Sequence, residues 1–118
     1  MKLGIYILLS FWLLSDLSAQ AIDNGSYLKV QEGLVYFEQG DVKAAIKKYN
    51  EAIKINKKDE MAYYEKAIAH YRLGKNHEVI KLCKQLIEFD GSYKIDAYLL
   101  MADVYQRNKN LDKLTIIL

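Results

Sequence analysis

From Ser26 onward the apolar residues return every three or four positions, and the polar interruptions between apolar stretches are short. Across Ser26 to Gln39, Leu28, Gln31, Leu34, Val35 and Tyr36 follow the roughly 3.6-residue period of an α-helix. Gly40 and Asp41 then mark a boundary. A glycine accepts the left-handed backbone that ends a helix, and an aspartate side chain accepts from the free amides that begin the next. Val42 to Ile55 carries Ala45, Ile46, Tyr49, Ala52 and Ile53 on one face; Lys43, Lys47 and Lys54, continued by Lys58, lie on another. After the polar turn from Asn56 to Asp59 the pattern starts again. Glu60 to Leu73 is followed by a break at Gly74, and Asn76 to Phe89 by a break at Asp90-Gly91-Ser92. A third pass runs from Lys94 to Arg107, breaks at Asn108 to Asn110 and enters a last helix at Leu111.

Helix, tight turn, helix is thus predicted three times over. Gly33 precedes Ala67, and Gly40 precedes Gly74, by 34 residues; Ala62 precedes Ala97 by 35, which places one extra residue near Gly91 to Lys94. A helical hairpin that cannot bury its apolar face alone stacks on its neighbour, so internal repeats of this length predict an all-α, helix-turn-helix solenoid. The repeats fall at about 26–59, 60–93 and 94–118, the last one truncated, which makes two and a half to three. The chain has no proline and only 6 glycines, which favours long helices over a turn-rich β fold.

A helix pair of this length with small residues at fixed places resembles the tetratricopeptide repeat. The first repeat carries the resemblance in Gly33, Tyr36, Gly40, Asp41, Ala45, Ile46, Tyr49, Ala52 and Ile53. The second keeps Ala62, Tyr63, Ala67, Gly74, Ile80 and Ile87; the third keeps Ala97, Tyr98, Ala102, Tyr105, Asn110 and Leu111. The resemblance implies that Gly33, Ala67 and Ala102 lie where paired helices cross, faced by Ala45 and Ala52. Tyr36, Tyr49 and Tyr105 would fill the space left by the small residues. Lys57 and Gly91 stand where the family usually has proline, and His70 where it has tyrosine. Val79, Cys83 and Leu86 replace the usual alanine, aromatic and alanine, exchanging volume between neighbours.

The same resemblance implies a concave face, lined by the first helix of each pair, that binds a protein or peptide segment. Its recurring positions hold Tyr27, Val30, Leu34 and Phe37 in the first repeat and Met61, Tyr64, Ile68 and Tyr71 in the second. The third supplies Asp96, Leu99, Asp103 and Gln106. Clustered aromatic and aliphatic side chains of this kind are a binding signature; the alternative is that part of the stripe packs on a neighbouring repeat. Chaperone-binding members of the family hold a peptide's terminal carboxylates with a lysine–asparagine–arginine clamp. The clamp positions here are Val30, Leu34, Glu65, Asp96 and Leu100: none is basic and two are acidic, so that mode is rejected.

Residues 1–21 have a different character. Lys2 precedes an apolar run from Leu3 to Leu14, broken only by Gly4 and Ser10, and Ala19-Gln20-Ala21 follows. A basic start, a short apolar core and an A-x-A site predict an export signal, with Ile22 the first mature residue. The run is short for a spanning helix, which needs about 20 apolar residues. Residues 22–118 then form the repeat domain, bound for the periplasm or for secretion.

Composition narrows the function. Net charge is only +2, which gives no electrostatic reason to propose nucleic acid. Cys83 stands alone, so no intramolecular disulfide forms. His70, His77 and Cys83 fit no metal-ligand spacing, and no phosphate loop or nucleophile elbow occurs. Asp96 and Asp103 share a helix face about 10 Å apart, which suits an acidic spot on a binding surface better than an acid–base pair. No enzyme, no metal, no cofactor and no small-molecule substrate are predicted. Leu114, Ile116, Ile117 and Leu118 would form an uncapped terminal face open to self-association. The sequence thus predicts an exported interaction module with a tyrosine-rich groove; the alternative is a structural segment of a longer repeat protein or oligomer.

Overall fold

The computed structural model describes residues 2–117, with side chains described from 2 to 109. All regular structure among the described residues is helical: α1 is Lys2–Glu38, α2 Val42–Ile55, α3 Glu60–Arg72, α4 Asn76–Phe89 and α5 Lys94–Ile117.

Two of the turns share one hydrogen-bond pattern. After α1, Gly40 has φ 83° and its N–H donates to the Phe37 carbonyl at 3.0 Å, while the Asp41 N–H donates to Tyr36 at 2.9 Å. After α3, Gly74 has φ 73° and donates to Tyr71 at 3.0 Å, while Lys75 donates to His70 at 3.0 Å. These paired bonds occupy the last free carbonyls of each helix and require the positive φ that glycine adopts without strain. Asp41 and Asp59 then cap α2 and α3, their carboxylates accepting from the Ala44 and Ala62 amides at 3.1 Å. The turn before α5 differs: its left-handed residue is Asp90, with φ 54°, and not Gly91. Gly91 lies against the Glu60 carboxylate, which a Cβ there would displace.

α2 packs on both α1 and α3, α4 packs on both α3 and α5, and α1 also touches α3. That is the neighbour-to-neighbour stacking of a solenoid. One core cluster joins Val30, Val42, Ala45, Tyr49, Ala52, Ala62 and Ala69. The other joins Ala67, Val79, Leu82, Cys83, Leu86, Ala97, Leu100 and Val104. The enclosed alanines bring backbones close, and Tyr49 and Leu86 are the largest side chains sealed between them. Cys83 and His70 are buried, and Lys43, Lys47, Lys54 and Lys58 are exposed, as the helix faces predict.

The helix ends correct the sequence reading in two places. α1 runs unbroken through Asn24-Gly25, although the sequence predicts a helix starting only at Ser26. A glycine inside a helix costs about 1 kcal/mol against alanine, too little to end it where no proline follows. α5 likewise continues through Asn108 to Asn110, where a turn and a new helix are predicted. Polar residues without glycine or proline do not force that turn. Because α5 runs straight on among the described residues, Ala102 and Tyr105 are exposed; Gly33 and Ala67, the counterparts of Ala102, are enclosed. Tyr36 is also more open than predicted, since no preceding hairpin covers that edge of α1. Leu114, Ile116, Ile117 and Leu118 lie outside the residues whose side chains are described.

The edge that carries Tyr36 is closed by charge. Lys48 Nζ lies 3.0 Å from Glu32 and 3.3 Å from Glu51, and Lys29 Nζ lies 3.4 Å and 3.6 Å from the same carboxylates. The Lys48 ammonium beside them holds both carboxyls below the ordinary glutamate range.

Candidate interaction groove

Side chains of the first helices, α1, α3 and α5, link each repeat to the next. The Arg72 guanidinium lies 4.8 Å from the centroid of the Phe37 ring, and that of Arg107 lies 3.8 Å from the Tyr71 ring. Phe37 and Tyr71 are 34 residues apart, and Arg72 and Arg107 are 35 apart, so one cation–π step recurs at both junctions. Arg72 also donates to the Phe37 carbonyl at 3.4 Å, and Arg107 to Asn76 at 3.0 Å. The Tyr71 hydroxyl donates to Asp103, and that hydrogen bond is the leading cause that pushes the phenol upward from its ordinary range. The sequence reading missed both arginines. The signal that would have found them is an aromatic followed by an arginine one repeat later, twice.

The predicted groove residues divide by exposure. Of the apolar ones, Tyr27 and Leu99 are the most open, at 55% and 64%. Leu34, Phe37, Tyr64, Ile68 and Tyr71 are half-buried, resting on the two core clusters. Asp103 is exposed, with its carboxylate engaged by Tyr71. Val30 corrects the reading: it is fully enclosed beside Ala62 and Ala69, because α3 packs there against α1. It supports the groove from beneath and offers no surface.

At the start of α3 the face opens into a cleft of about 460 Å³, walled by Tyr27, Met61 and Tyr93 and rimmed by Asp23, Asp59, Glu60 and Lys58. Asp23 accepts from Asn56 at 3.1 Å, and Asp59 is held by Ser26 and by its capping bond to Ala62. Glu60 differs, for its Oε1 is buried with no hydrogen-bond partner. The Tyr93 and Tyr64 rings lie 5.2 Å apart at 39°. Burial first, then the charges of Glu65, Asp59, Asp96 and Glu60, push the Tyr93 hydroxyl upward. Burial does the same at Tyr64, with Asp96 and Glu65 adding to it. Burial also raises the Glu65 carboxyl. Among the described residues no ion pair forms at Glu60, Glu65 or Asp96.

Among the described residues no group of three or more His, Cys, Asp or Glu side chains could hold a metal ion. Burial pushes the Cys83 thiol up to about 11 and lowers His70, which leaves one a poor nucleophile and the other neutral. What the face provides is shape, aromatic surface and negative charge.

Comparison with known proteins gives consistent matches. The family described as TPR repeat matches residues 33–74. The Hsp70-Hsp90 organising protein of Plasmodium falciparum is 30% identical over 76 residues, 64% of this chain and 13% of that protein. A TPR repeat-containing protein of Methanocaldococcus jannaschii is 39% identical over 54 residues, 46% of this chain and 10% of the relative. Sperm-associated antigen 1 of Mus musculus is 36% identical over 61 residues, 52% and 7% of the two chains. The chain thus spans about a tenth of the length of these curated relatives. Among solved structures, the second TPR of Spaghetti, bound to the HSP90 peptide SRMEEVD, superposes with a TM-score of 0.68 at 24% identity. That match covers 80% of this chain and 87% of the other. These matches place residues 33–74 in the tetratricopeptide-repeat family, and the hairpins with their glycine-ended turns give the chain the all-α repeat fold of the proteins it resembles.

Proposed function

We propose that the chain is a non-catalytic protein-interaction module that receives a protein segment on the exposed face of α1, α3 and α5. The observation that carries this reading is the open aromatic and aliphatic surface from Tyr27 to Leu99, laid over half-buried Leu34, Phe37, Tyr64, Ile68 and Tyr71. Open apolar side chains on a firm base favour association, because little further ordering is needed when they are covered. The solved relative holds an acidic peptide, whereas the positions expected to clamp its carboxylates here hold Val30 and Leu100 in the core, half-buried Leu34, and the acidic Glu65 and Asp96. This groove suits a different segment. Replacing Tyr27 and Leu99 together by alanine should abolish partner recovery in pull-downs from envelope extract and keep the helical circular-dichroism signal. Equal recovery by wild type and variant overturns the reading.

The setting we propose is assembly or scaffolding at the cell envelope, with residues 1–21 acting as an export signal. Lys2, the exposed apolar run and Ala19-Gln20-Ala21 support this. Mass spectrometry of the protein from its host should find Ile22 at the N-terminus. Intact Met1 in the soluble cytosolic fraction rules the export reading out.

One observation favours a second reading, in which the surfaces only build a larger solenoid or oligomer. Ile95, Tyr98 and Tyr105 are exposed along α5 beside Ala102, on a side where α1 and α3 are covered by their second helices. Sedimentation of the purified chain separates the two: a monomer at tens of micromolar leaves the groove reading in place.

A further inference from the structure

We infer that release of residues 1–21 opens a chemical modification site at Asn24, where the backbone nitrogen of Gly25 displaces the side-chain amide. The inference rests on the export reading and goes beyond it. Asn24-Gly25 is the one asparagine–glycine pair of the chain, and it lies just past Ala21. In α1 the pair is helical and the Asn24 side chain is exposed. A helical amide is bonded to the carbonyl four residues earlier, so the helix pairs Gly25 with Ala21. The helical ψ of Asn24 also turns the Gly25 nitrogen away from the side-chain carbon that it attacks. Cutting the chain before Ile22 removes the Ala21 carbonyl and leaves the amides of 22–25 without helical acceptors. The Asp23 carboxylate, close to those amides in sequence, already accepts from Asn56 at 3.1 Å.

A second observation limits the opening to this one turn. Ser26 is fully enclosed, its hydroxyl held by the Ala52 carbonyl and the Asp59 carboxylate, so the helix is pinned from there on. Ile22, Asp23 and Asn24 are exposed, and Gly25 sits beside Ile55 with room for a Cβ at 3.6 Å. Helix ends held by few contacts open at little cost. Once Asn24 leaves the helical backbone, the Gly25 nitrogen gives up its proton to solvent and attacks the Asn24 Cγ, unhindered by a Cβ. The bond from Cγ to the side-chain nitrogen breaks and ammonia leaves, closing a five-membered succinimide. Water then adds to either carbonyl of the ring and opens it to aspartate or isoaspartate. The product places a carboxylate where Asn24 stands, on the lining of the cleft walled by Tyr27, Met61 and Tyr93.

The test follows the mass of the Asn24 peptide in the full chain and in a chain cut to begin at Ile22, both in the same mild detergent at mildly alkaline pH. Residues 3–21 are exposed throughout and both core clusters begin at Val30 or later, so the cut chain keeps its fold and its thermal midpoint. The one-unit gain in mass should accumulate roughly tenfold faster in the cut chain. Gly25→Ala should suppress it there. Asn50, Asn56 and Asn76, none followed by glycine, should stay unchanged in the same digest. Equal rates in the two chains overturn the inference. So does a cut chain in which Asn24 reacts no faster than Asn50, or one that has lost its thermal midpoint. Intact Met1 on protein taken from its host overturns the export reading, whereas the rates measured on the cut chain are independent of it, so the two failures are told apart.

Discussion

The ring of Tyr49 occupies the space that a side chain at Gly33 would need. A Cβ built on Gly33 overlaps the Tyr49 ring, and Tyr49 itself is fully enclosed. Two effects therefore oppose each other in Gly33→Ala. Helix propensity favours alanine by about 1 kcal/mol. Overpacking against an aromatic ring with no room to retreat costs about 1–3 kcal/mol. The steric effect should win, and urea denaturation should show a net loss. Adding Tyr49→Leu to the same chain should recover part of that loss. A stabilised Gly33→Ala would show that the α1–α2 seam yields more easily than its burial implies.

The small residues of α3 and α5 make the complementary case. Ala67 is enclosed between α3 and α4, whereas Ala102 at the corresponding place on α5 is exposed. Ala67→Leu should destabilise by about 1–3 kcal/mol through overpacking. Ala102→Leu should change stability by no more than about 0.5 kcal/mol, as exposed substitutions do. Thermal unfolding of the two variants checks this. Equal losses would mean that α5 is covered in solution, by a helix of its own chain or by another copy.

Those two alanines also show where the sequence was legible. Period and small-residue spacing located α2, α3 and α4 and both glycine-ended turns, because those features are set within one hairpin. Ala102 and Tyr105 were misjudged because their burial depends on a helix that must fold back from Asn110, and α5 instead runs straight through to Ile117. Val30 was misjudged for a related reason. Its exposure is decided by how closely α3 approaches α1, a distance that no local pattern encodes. The Phe37–Arg72 and Tyr71–Arg107 pairs and the tyrosine cleft cross between repeats, so they too appeared only with the fold.

His70 should make the fold acid-sensitive. Its ring is buried, Nδ1 has no hydrogen-bond partner, and burial, chiefly, lowers it from the ordinary 6.5. A histidine whose folded value is depressed is neutral in the fold and protonates more readily when unfolded. Its contribution is intact above about 6.5 and is lost as pH falls from there through the folded value. The midpoint of thermal unfolding should therefore drop on acidification across that window. His70→Gln should flatten the dependence there, apart from the carboxylates that titrate lower. An unchanged slope in the variant would assign the acid sensitivity to other groups.

Glu65 gives the opposite sign and joins stability to the groove. Burial raises its carboxyl above 4.5, and no cation among the described residues compensates it. A carboxyl raised in the fold favours folding below its unfolded value, and that benefit disappears as pH rises through the folded value. Glu65→Gln keeps the shape and removes the charge, so it should raise the unfolding midpoint by a few degrees at pH 7. Well below pH 4 the difference should narrow, since Glu65 is then protonated in both states. A variant that is less stable than wild type at pH 7 would show that Glu65 is a structural group whose partner lies within the fold.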